Sequence, residues 1–415
     1  LRDAADRPTA SRPRGARAAS IAFYALIAGA VVLGWQIALQ PFIQRAPVQA
    51  AIRLAPASPL VLRRAAEAEL AAGRNDNAAA LGRDALGRSP FDVRALRVVG
   101  LTEAKAGRLD EADDILTLAG NWSLRDDPAH AWLVEHRLRQ GDYASAFAHA
   151  DTLVRRRQDI QPEVFRLFTV AGIEDPQRSL SITAELLAAN PPWRGSYLAG
   201  LNQSPEDLQV QVNLAILLQA SDAPLTNVEL QRLYRTLFGK GQIDAIRTVR
   251  ARLNRPTASA AVTNGDFSDT TAPEPFQWRL GQKAGVAVEI AADDLRPDNP
   301  ALRVDYDGYA NARIAEQLTF LSVGAHRFVA EVRTVTGDPA ARLAWTLTCV
   351  PGDRQVASAP AGAPETDSAA WKTISARIEV PDGCPAQWLR LETRADDRRA
   401  PVVVWFDRIR LSPAG

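Results

Sequence analysis

The rhythm of hydrophobic and polar positions changes twice along the chain. The first stretch is continuously apolar: Ser20 to Leu39 reads SIAFYALIAGAVVLGWQIAL, and no charged residue occurs from Ala18 to Gln44. Twenty residues at about 1.5 Å each match the ~30 Å hydrocarbon core of a bilayer, so a transmembrane anchor is expected over 18–44. Between 46 and 254 apolar residues recur every three or four positions, the spacing of helices with one buried face. After a short Pro/Ser-containing linker at 255–260, runs of alternating apolar and polar residues are separated by Gly, Pro and Asp turns, the pattern of strands in a sandwich over 261–415.

Within the helical middle a period stands out. Gly73, Gly107 and Gly141 are 34 residues apart, and each is followed five positions later by Ala78, Ala112 or Ala146. A period of 34 is that of a helix–turn–helix repeat. The glycine ends a first helix in a left-handed turn that other residues adopt at a cost, and the alanine lets the second helix cross closely. The segments AAGRNDNAAAL, KAGRLDEADDIL and RQGDYASAFAHA carry this pattern, and with them the region 60–160 resembles the tetratricopeptide repeat family. Later positions in the same phase hold Asp175 and Leu180, so further hairpins are expected in degenerate form through Leu253. The resemblance implies docking of protein partners on the first helices, where Arg63, Arg97, Glu103 and Arg137 are candidate contacts; ordinary solvated charge is the alternative for each. Trp193, in the Asn190-Pro191-Pro192-Trp193 turn, reads as a core plug between hairpins.

In the C-terminal part, strands are expected near 261–267, 276–280, 286–291, 301–306, 312–320, 326–335, 342–350, 372–380, 387–394 and 402–411. Period-two stripes place Leu302, Val304 and Tyr306 inside, and likewise Phe328, Ala330 and Val332. Leu343, Trp345, Leu347 and Cys349 form a third stripe, and Ile374, Ala376, Ile378 and Val380 a fourth. Thr263-Asn264-Gly265-Asp266-Phe267, Phe276-Gln277-Trp278, Glu316-Gln317 and the closing Val404-Trp405-Phe406-Asp407 resemble the carbohydrate-binding-module-like, galactose-binding jelly rolls. That resemblance implies a structural calcium at Asp266 and Asp407, the alternative being a turn aspartate plus an ion pair. It also implies sugar binding, which needs an aromatic plate with polar groups beside it. Trp388 meets that need, because Gln387, Leu389 and Leu391 alternate away from it and leave it on one face with Arg390 and Glu392. Tyr309 and Trp371, in turn segments, come next, and packing of Trp388 on the neighbouring domain is the competing reading.

Composition adds location and excludes several chemistries. The expected fold class is multidomain: one transmembrane helix, an all-α tetratricopeptide-like solenoid, then an all-β jelly-roll sandwich. The basic tail at 1–17 should stay cytoplasmic, which puts the bulk of the chain in the periplasm of a single-pass inner-membrane protein. A cleaved signal peptide is the rival, but the apolar stretch exceeds the usual length of one. Ala25-x-x-x-Gly29 and Ala30-x-x-x-Gly34 would let another membrane helix approach. Met is absent and the sequence opens on Leu1, so it is expected to begin inside a longer reading frame. The two cysteines, Cys349 and Cys384, are expected to form a disulfide. A net charge of +1 gives no pull toward nucleic acid. No nucleophile elbow, zinc helix or phosphate loop occurs, and His130, His136, His149 and His326 lie apart in the sequence. The expectation is a non-catalytic scaffold in envelope or exopolysaccharide assembly, without a cofactor except the implied calcium. The alternative is a subunit of a membrane complex that makes only protein contacts.

Overall fold

The computed structural model describes residues 14–253, 261–269, 271–363, 370–394 and 399–414. The expected linker at 255–260 and most of the basic tail lie outside them. Contacts divide the chain into two compact units, one reaching to Arg156 and one from Arg157 onward.

The first unit opens with helix α1 (Arg14–Arg45) and the short α2 (Val48–Leu54). Here the expected anchor requires correction: among the described residues no helix is long and apolar enough to cross a membrane. The transmembrane segment of the expected fold class does not stand, nor do the single-pass inner-membrane location and periplasmic placement built on it.

The hairpins that follow are α3 (Pro59–Ala71) with α4 (Asn75–Arg88), α5 (Val93–Lys105) with α6 (Leu109–Trp122), and α7 (Asp127–Arg139) with α8 (Tyr143–Val154). Gly73, Gly107 and Gly141 sit between the two helices of each at φ of +77°, +81° and +72°. Each turn closes identically: Arg74 N donates to Glu69 O at 2.9 Å, Arg108 N to Glu103 O at 3.0 Å and Asp142 N to Arg137 O at 2.9 Å. This is the helix stop that glycine makes cheap. Ala78, Ala112 and Ala146 are fully buried. Gly100 on α5 is a second requirement for smallness, since a Cβ there would meet Leu116 Cγ at 2.7 Å. His130 and His149, distant in sequence, face each other with their Nδ1 atoms 3.0 Å apart. Burial depresses both, His149 to about 4, with His130 adding to the effect.

The second unit begins with α9 (Gln161–Glu174), α10 (Pro176–Ala188), α11 (Arg194–Gly200), α12 (Pro205–Gln219), α13 (Asn227–Gly239) and α14 (Ile243–Arg252). Asp175 joins α9 to α10 before Pro176 at φ −135°, outside the left-handed region, so this hairpin needs no glycine. Trp193 is buried against Phe165, Phe168 and Tyr197. Next to it Arg194 is buried as well. It reaches Glu229 at 2.8 and 3.0 Å and the carbonyls of Leu187, Ala223 and Pro224 at 3.0–3.1 Å. Glu229 is itself half of the capping box that starts α13. Gly241 (φ +69°) then repeats the earlier turn, with Gln242 N donating to Leu237 O at 2.9 Å.

The sandwich consists of two antiparallel sheets. One is ordered β1 (Arg279–Leu280), β4 (Arg313–Thr319), β9 (Ala386–Thr393), β6 (Leu343–Val350), β7 (Gln355–Pro360). The other is ordered β2 (Val286–Asp293), β3 (Arg296–Tyr306), β10 (Val402–Pro413), β5 (Gly324–Thr336), β8 (Lys372–Val380). The four expected apolar stripes meet in one core with Phe267, Trp278, Leu389, Leu391 and Phe406. Residues 261–267 form turns, and the strand expected at 276–280 shrinks to β1. Strand β7 had no apolar alternation to announce it, because its side chains are small. Cys349 and Cys384 are bonded, with Cα atoms 5.2 Å apart, and tie the end of β6 to the approach to β9.

Candidate binding site

Alternation along β9 decides the character of one sheet face. Leu389 and Leu391 enter the core, so Trp388, Arg390 and Glu392 point outward. In register, Arg390 lies between Glu316 on β4 and Thr346 on β6, and Trp388 lies between Leu318 and Thr348. Arg390 is buried and divided between two carboxylates, Glu316 Oε2 and Asp353 Oδ1, both at 2.9 Å. The guanidinium holds the Asp353 carboxyl below the usual range. Arg279 also pairs with Glu316, and Glu392 accepts from Thr346 Oγ1 at 2.9 Å. Arg390 and Glu392 are therefore committed within the sheet.

Trp388 is half-buried, between arginines of its own sheet and helix α13. Residues at spacings of three, four and seven along α13 (Gln231, Tyr234, Arg235 and Phe238) present one stripe to the sandwich. The Phe238 ring meets Trp388 edge to face at a centroid distance of 5.6 Å. These four residues, with Glu274, Pro275, Arg279 and Trp388, line a cleft of about 240 Å³. The Arg279 guanidinium stands 5.5 Å from the centre of the indole. Beside the cleft, Tyr234 meets Phe276 edge to face at 5.1 Å, and the Arg250 guanidinium lies 4.1 Å from the centre of the Phe276 ring while donating to Thr263 Oγ1 at 2.9 Å. Burial pushes Arg250 down to about 10. Gln317 clasps Thr263, accepting from its N at 2.8 Å and donating to its O at 3.0 Å, which fixes the first turn of the sandwich to β4. The cleft is thus an aromatic floor and wall with an amide, a carboxylate and two guanidinium groups around it.

The other candidates from the sequence are dispersed. Tyr309 is exposed in the turn after β3 and Trp371 precedes β8. Trp371 is occupied: its Nε1 donates to Asp293 at 2.8 Å and Arg296 covers its ring at 4.3 Å. Asp407 is fully buried and accepts from Arg296, Asn299 and the Arg408 amide at 2.7–2.9 Å, so its oxygens are taken by cationic and amide donors. Asp266 accepts from Ser268 in an exposed turn. Among the described residues no group of three or more His, Cys, Asp or Glu is arranged to hold a metal ion. On the hairpins, Arg63 pairs with Asp92 at 3.2 Å, Arg97 with Asp126 at 3.0 Å and Glu67 at 2.5 Å, and Arg137 with Asp113 at 2.9 Å. Glu103 is 4% exposed between Arg83 and Arg108. All four of these charges serve packing between helices.

Gln231, Tyr234, Arg235, Phe238, Glu274 and Arg279 were not singled out from the sequence. For the four on α13 the signal is spacing, where a second stripe with Phe238 runs beside the core stripe of Leu230, Leu233 and Leu237; Glu274 and Arg279 carry none.

No family model and no curated protein matches the chain. Among solved structures, the chain is similar to carbohydrate-binding modules. One is described as "CBM4 structure and function" (14% identity, 37% of this chain and 99% of that one, TM-score 0.28). Another is the CBM22-1 xylan-binding domain of Xyn10C from Paenibacillus barcinonensis (16% identity, 33% and 86%, TM-score 0.25). A tetratricopeptide repeat protein from Parabacteroides merdae is also similar (12% identity, 50% of this chain and 82% of that one, TM-score 0.27).

Proposed function

We propose that this protein is a non-catalytic scaffold in polysaccharide assembly, with a neutral glycan held in the cleft beside Trp388 and a protein partner on the helical hairpins. The observation that carries the reading is the cleft itself. Trp388 offers a partly exposed indole face, and Gln231 and Arg235 are polar side chains on α13 with no partner among the described residues. An aromatic face beside unpaired donors suits a sugar ring, which is apolar on its face and hydroxylated at its edge. Docking of a protein partner uses groups other than Arg63, Arg97, Glu103 and Arg137, which are spent inside the hairpins.

The test is a glycan array probed with the full chain. Trp388→Ala is expected to weaken the bound glycan about tenfold or more, the scale of losing one buried aromatic contact. Gln231→Ala, which leaves the aromatic packing intact, should weaken it severalfold without lowering Tm. Binding that withstands both substitutions sinks the cleft as the site. A second reading, that the sandwich makes only protein contacts, draws on Phe238 of the same chain already occupying one side of Trp388, which reduces the face left for a sugar. Failure of the wild-type chain to bind any glycan, together with a stoichiometric protein partner in pull-downs, would favour it.

A further inference from the structure

The outer face of the second sheet carries charge that the described residues do not neutralise. Arg327 on β5 lies between Ser412 on β10 and Arg377 on β8. Arg410, two residues before Ser412, is the cross-strand neighbour of Val329, two residues after Arg327. These positions alternate with the core residues Phe328, Ile378, Ile409 and Leu411, so the three arginines share the solvent face. Cross-strand neighbours are about 5 Å apart and diagonal ones about 7–8 Å, so long guanidinium side chains at these sites can converge on one anion. Among the described residues none of the three makes an ion pair or a side-chain hydrogen bond. The rest of this face pairs its charges: Arg333 with Asp293 at 2.5 Å, Arg296 with Asp407 at 2.9 Å, and Arg408 with Glu331 at 2.9 Å. On β8 the next outward position past Arg377 is Glu379, which bounds the patch on that side. Like charges directly opposite each other destabilise a sheet. The Arg327–Arg377 pair therefore carries a cost that a bound anion would remove.

Arg327 and Arg410 line a groove of about 700 Å³ with Thr373, Ser412 and the mutually paired Arg408 and Glu331, and Arg377 adjoins it. We infer that this groove binds an acidic polysaccharide through the carboxylates of its sugar residues. Guanidinium is the cation whose planar donors match a carboxylate in pairs, and the hydroxyls of Thr373 and Ser412 suit sugar hydroxyls. The lining contains no aromatic side chain on which bases could stack, which disfavours single-stranded nucleic acid. Three cations without an exposed apolar flank fall short of what holds a protein to an anionic bilayer.

The test titrates the full chain with polygalacturonate and with its methyl ester, which lacks the charge. Arg327→Ala combined with Arg377→Ala is expected to weaken polygalacturonate binding at least tenfold, and Arg410→Ala about tenfold, from loss of charge-assisted hydrogen bonds. Both variants should keep or raise the wild-type Tm, since the substitutions remove a like-charge contact. Arg303→Ala removes a charge from the same sheet, where Arg303 is paired with Glu289, and should leave binding unchanged. Equal binding of the methyl ester, or binding that survives the double substitution, overturns the inference. So does tighter binding to phosphatidylserine vesicles or to a DNA single strand than to polygalacturonate. The inference rests on reading the sandwich as a glycan-binding domain, so a neutral-glycan array is run in parallel. Neutral glycans bound without polygalacturonate overturn the groove alone, and binding of neither overturns both readings.

Discussion

The regular hairpins α3–α8 and the later helices α9–α14 are both all-α, yet different kinds of charge pair hold them. In the hairpins the pairs recur in step with the sequence. Arg63 reaches Asp92 and Arg97 reaches Asp126, each cation 29 residues before its partner and each pair 34 residues from the other. Glu69 with Arg74 and Glu103 with Arg108 repeat in the same way across the glycine turns. The third copy reverses the charges, with Arg137 before the turn and Asp142 after it, and the next positions of the first series are Ala131 and Ile160. In the later helices one buried arginine replaces the series: Arg194 ties α10, the loop before α13 and the cap of α13 together. Repeated, partly exposed pairs make a modular stack in which each pair is worth little. A single buried arginine that holds a carboxylate and three carbonyls at once specifies one arrangement and concentrates the energy there.

The strongest way to break this contrast is to remove the hub. Arg194→Ala leaves the half-buried Glu229 and three carbonyls without the buried cation that joins them. The expected loss is about 3–5 kcal/mol, the range for breaking a buried pair from one side. Urea unfolding of the full chain reads it in the transition of the second unit. A loss below about 1 kcal/mol would place Arg194 with the surface pairs and remove the distinction.

Glycine turns sharpen the comparison from the other side. Gly107 belongs to the regular series and Gly241 to the later helices, at φ of +81° and +69°, and a Cβ at either would meet no atom within 4 Å. Alanine at either position therefore pays only the conformational term, about 1–2 kcal/mol. Equal losses for Gly107→Ala and Gly241→Ala in urea titrations would make α13–α14 a true fourth copy of the hairpin turn. A Gly241→Ala variant as stable as wild type would show that the later helices share the shape without the constraint.

Gly241 also shows what the sequence could and could not reveal. Gly73, Gly107 and Gly141 announce their hairpins because the phase is constant, whereas Gly241 falls two residues ahead of position 243, where the 34-residue step arrives. A search tied to phase passes over it, although Gly241-Gln242-Ile243 keeps the local pattern. In the sandwich, four stripes of alternating Leu, Val, Ile and aromatic residues gave the core because burial on one face writes itself into period two. Strand β7, Gln355–Pro360, offered only small side chains and no such stripe. The outward placement of Trp388 was legible from Leu389 and Leu391 beside it. Its neighbour Phe238 was not, because that contact joins residues 150 positions apart and depends on how α13 lies on the sheet. The apolar run at 20–39 was legible as a helix, but hydropathy alone led to a membrane span that the described part of α1 does not supply. For Asp407 the sequence leaves an ion ligand and an ion pair open, and the partners that surround it, Arg296 and Asn299, lie over a hundred residues away.

The smallest expected effect lies in the repeated pairs, and a double-mutant cycle isolates it. Asp92 and Asp126 also cap α5 and α7, accepting from Ala95 N and Ala129 N at 3.2 Å, so either aspartate alone cannot be replaced without losing a cap. The cycle removes that term because the cap is lost equally with and without the arginine. Coupling of Arg97 with Asp126 is expected near the top of the 0.2–1 kcal/mol range, since the Asp126 side chain is only 3% exposed, and coupling of Arg63 with the more accessible Asp92 should be lower. Arg97 is also bound by Glu67, which holds its side chain in place and lowers the entropy lost on pairing. In 1 M salt the Arg63–Asp92 coupling should fade first, because screening acts most on the pair that water reaches. Coupling energies as large as the effect of Arg194→Ala would mean that the stack, too, is fastened at discrete points rather than evenly along its length.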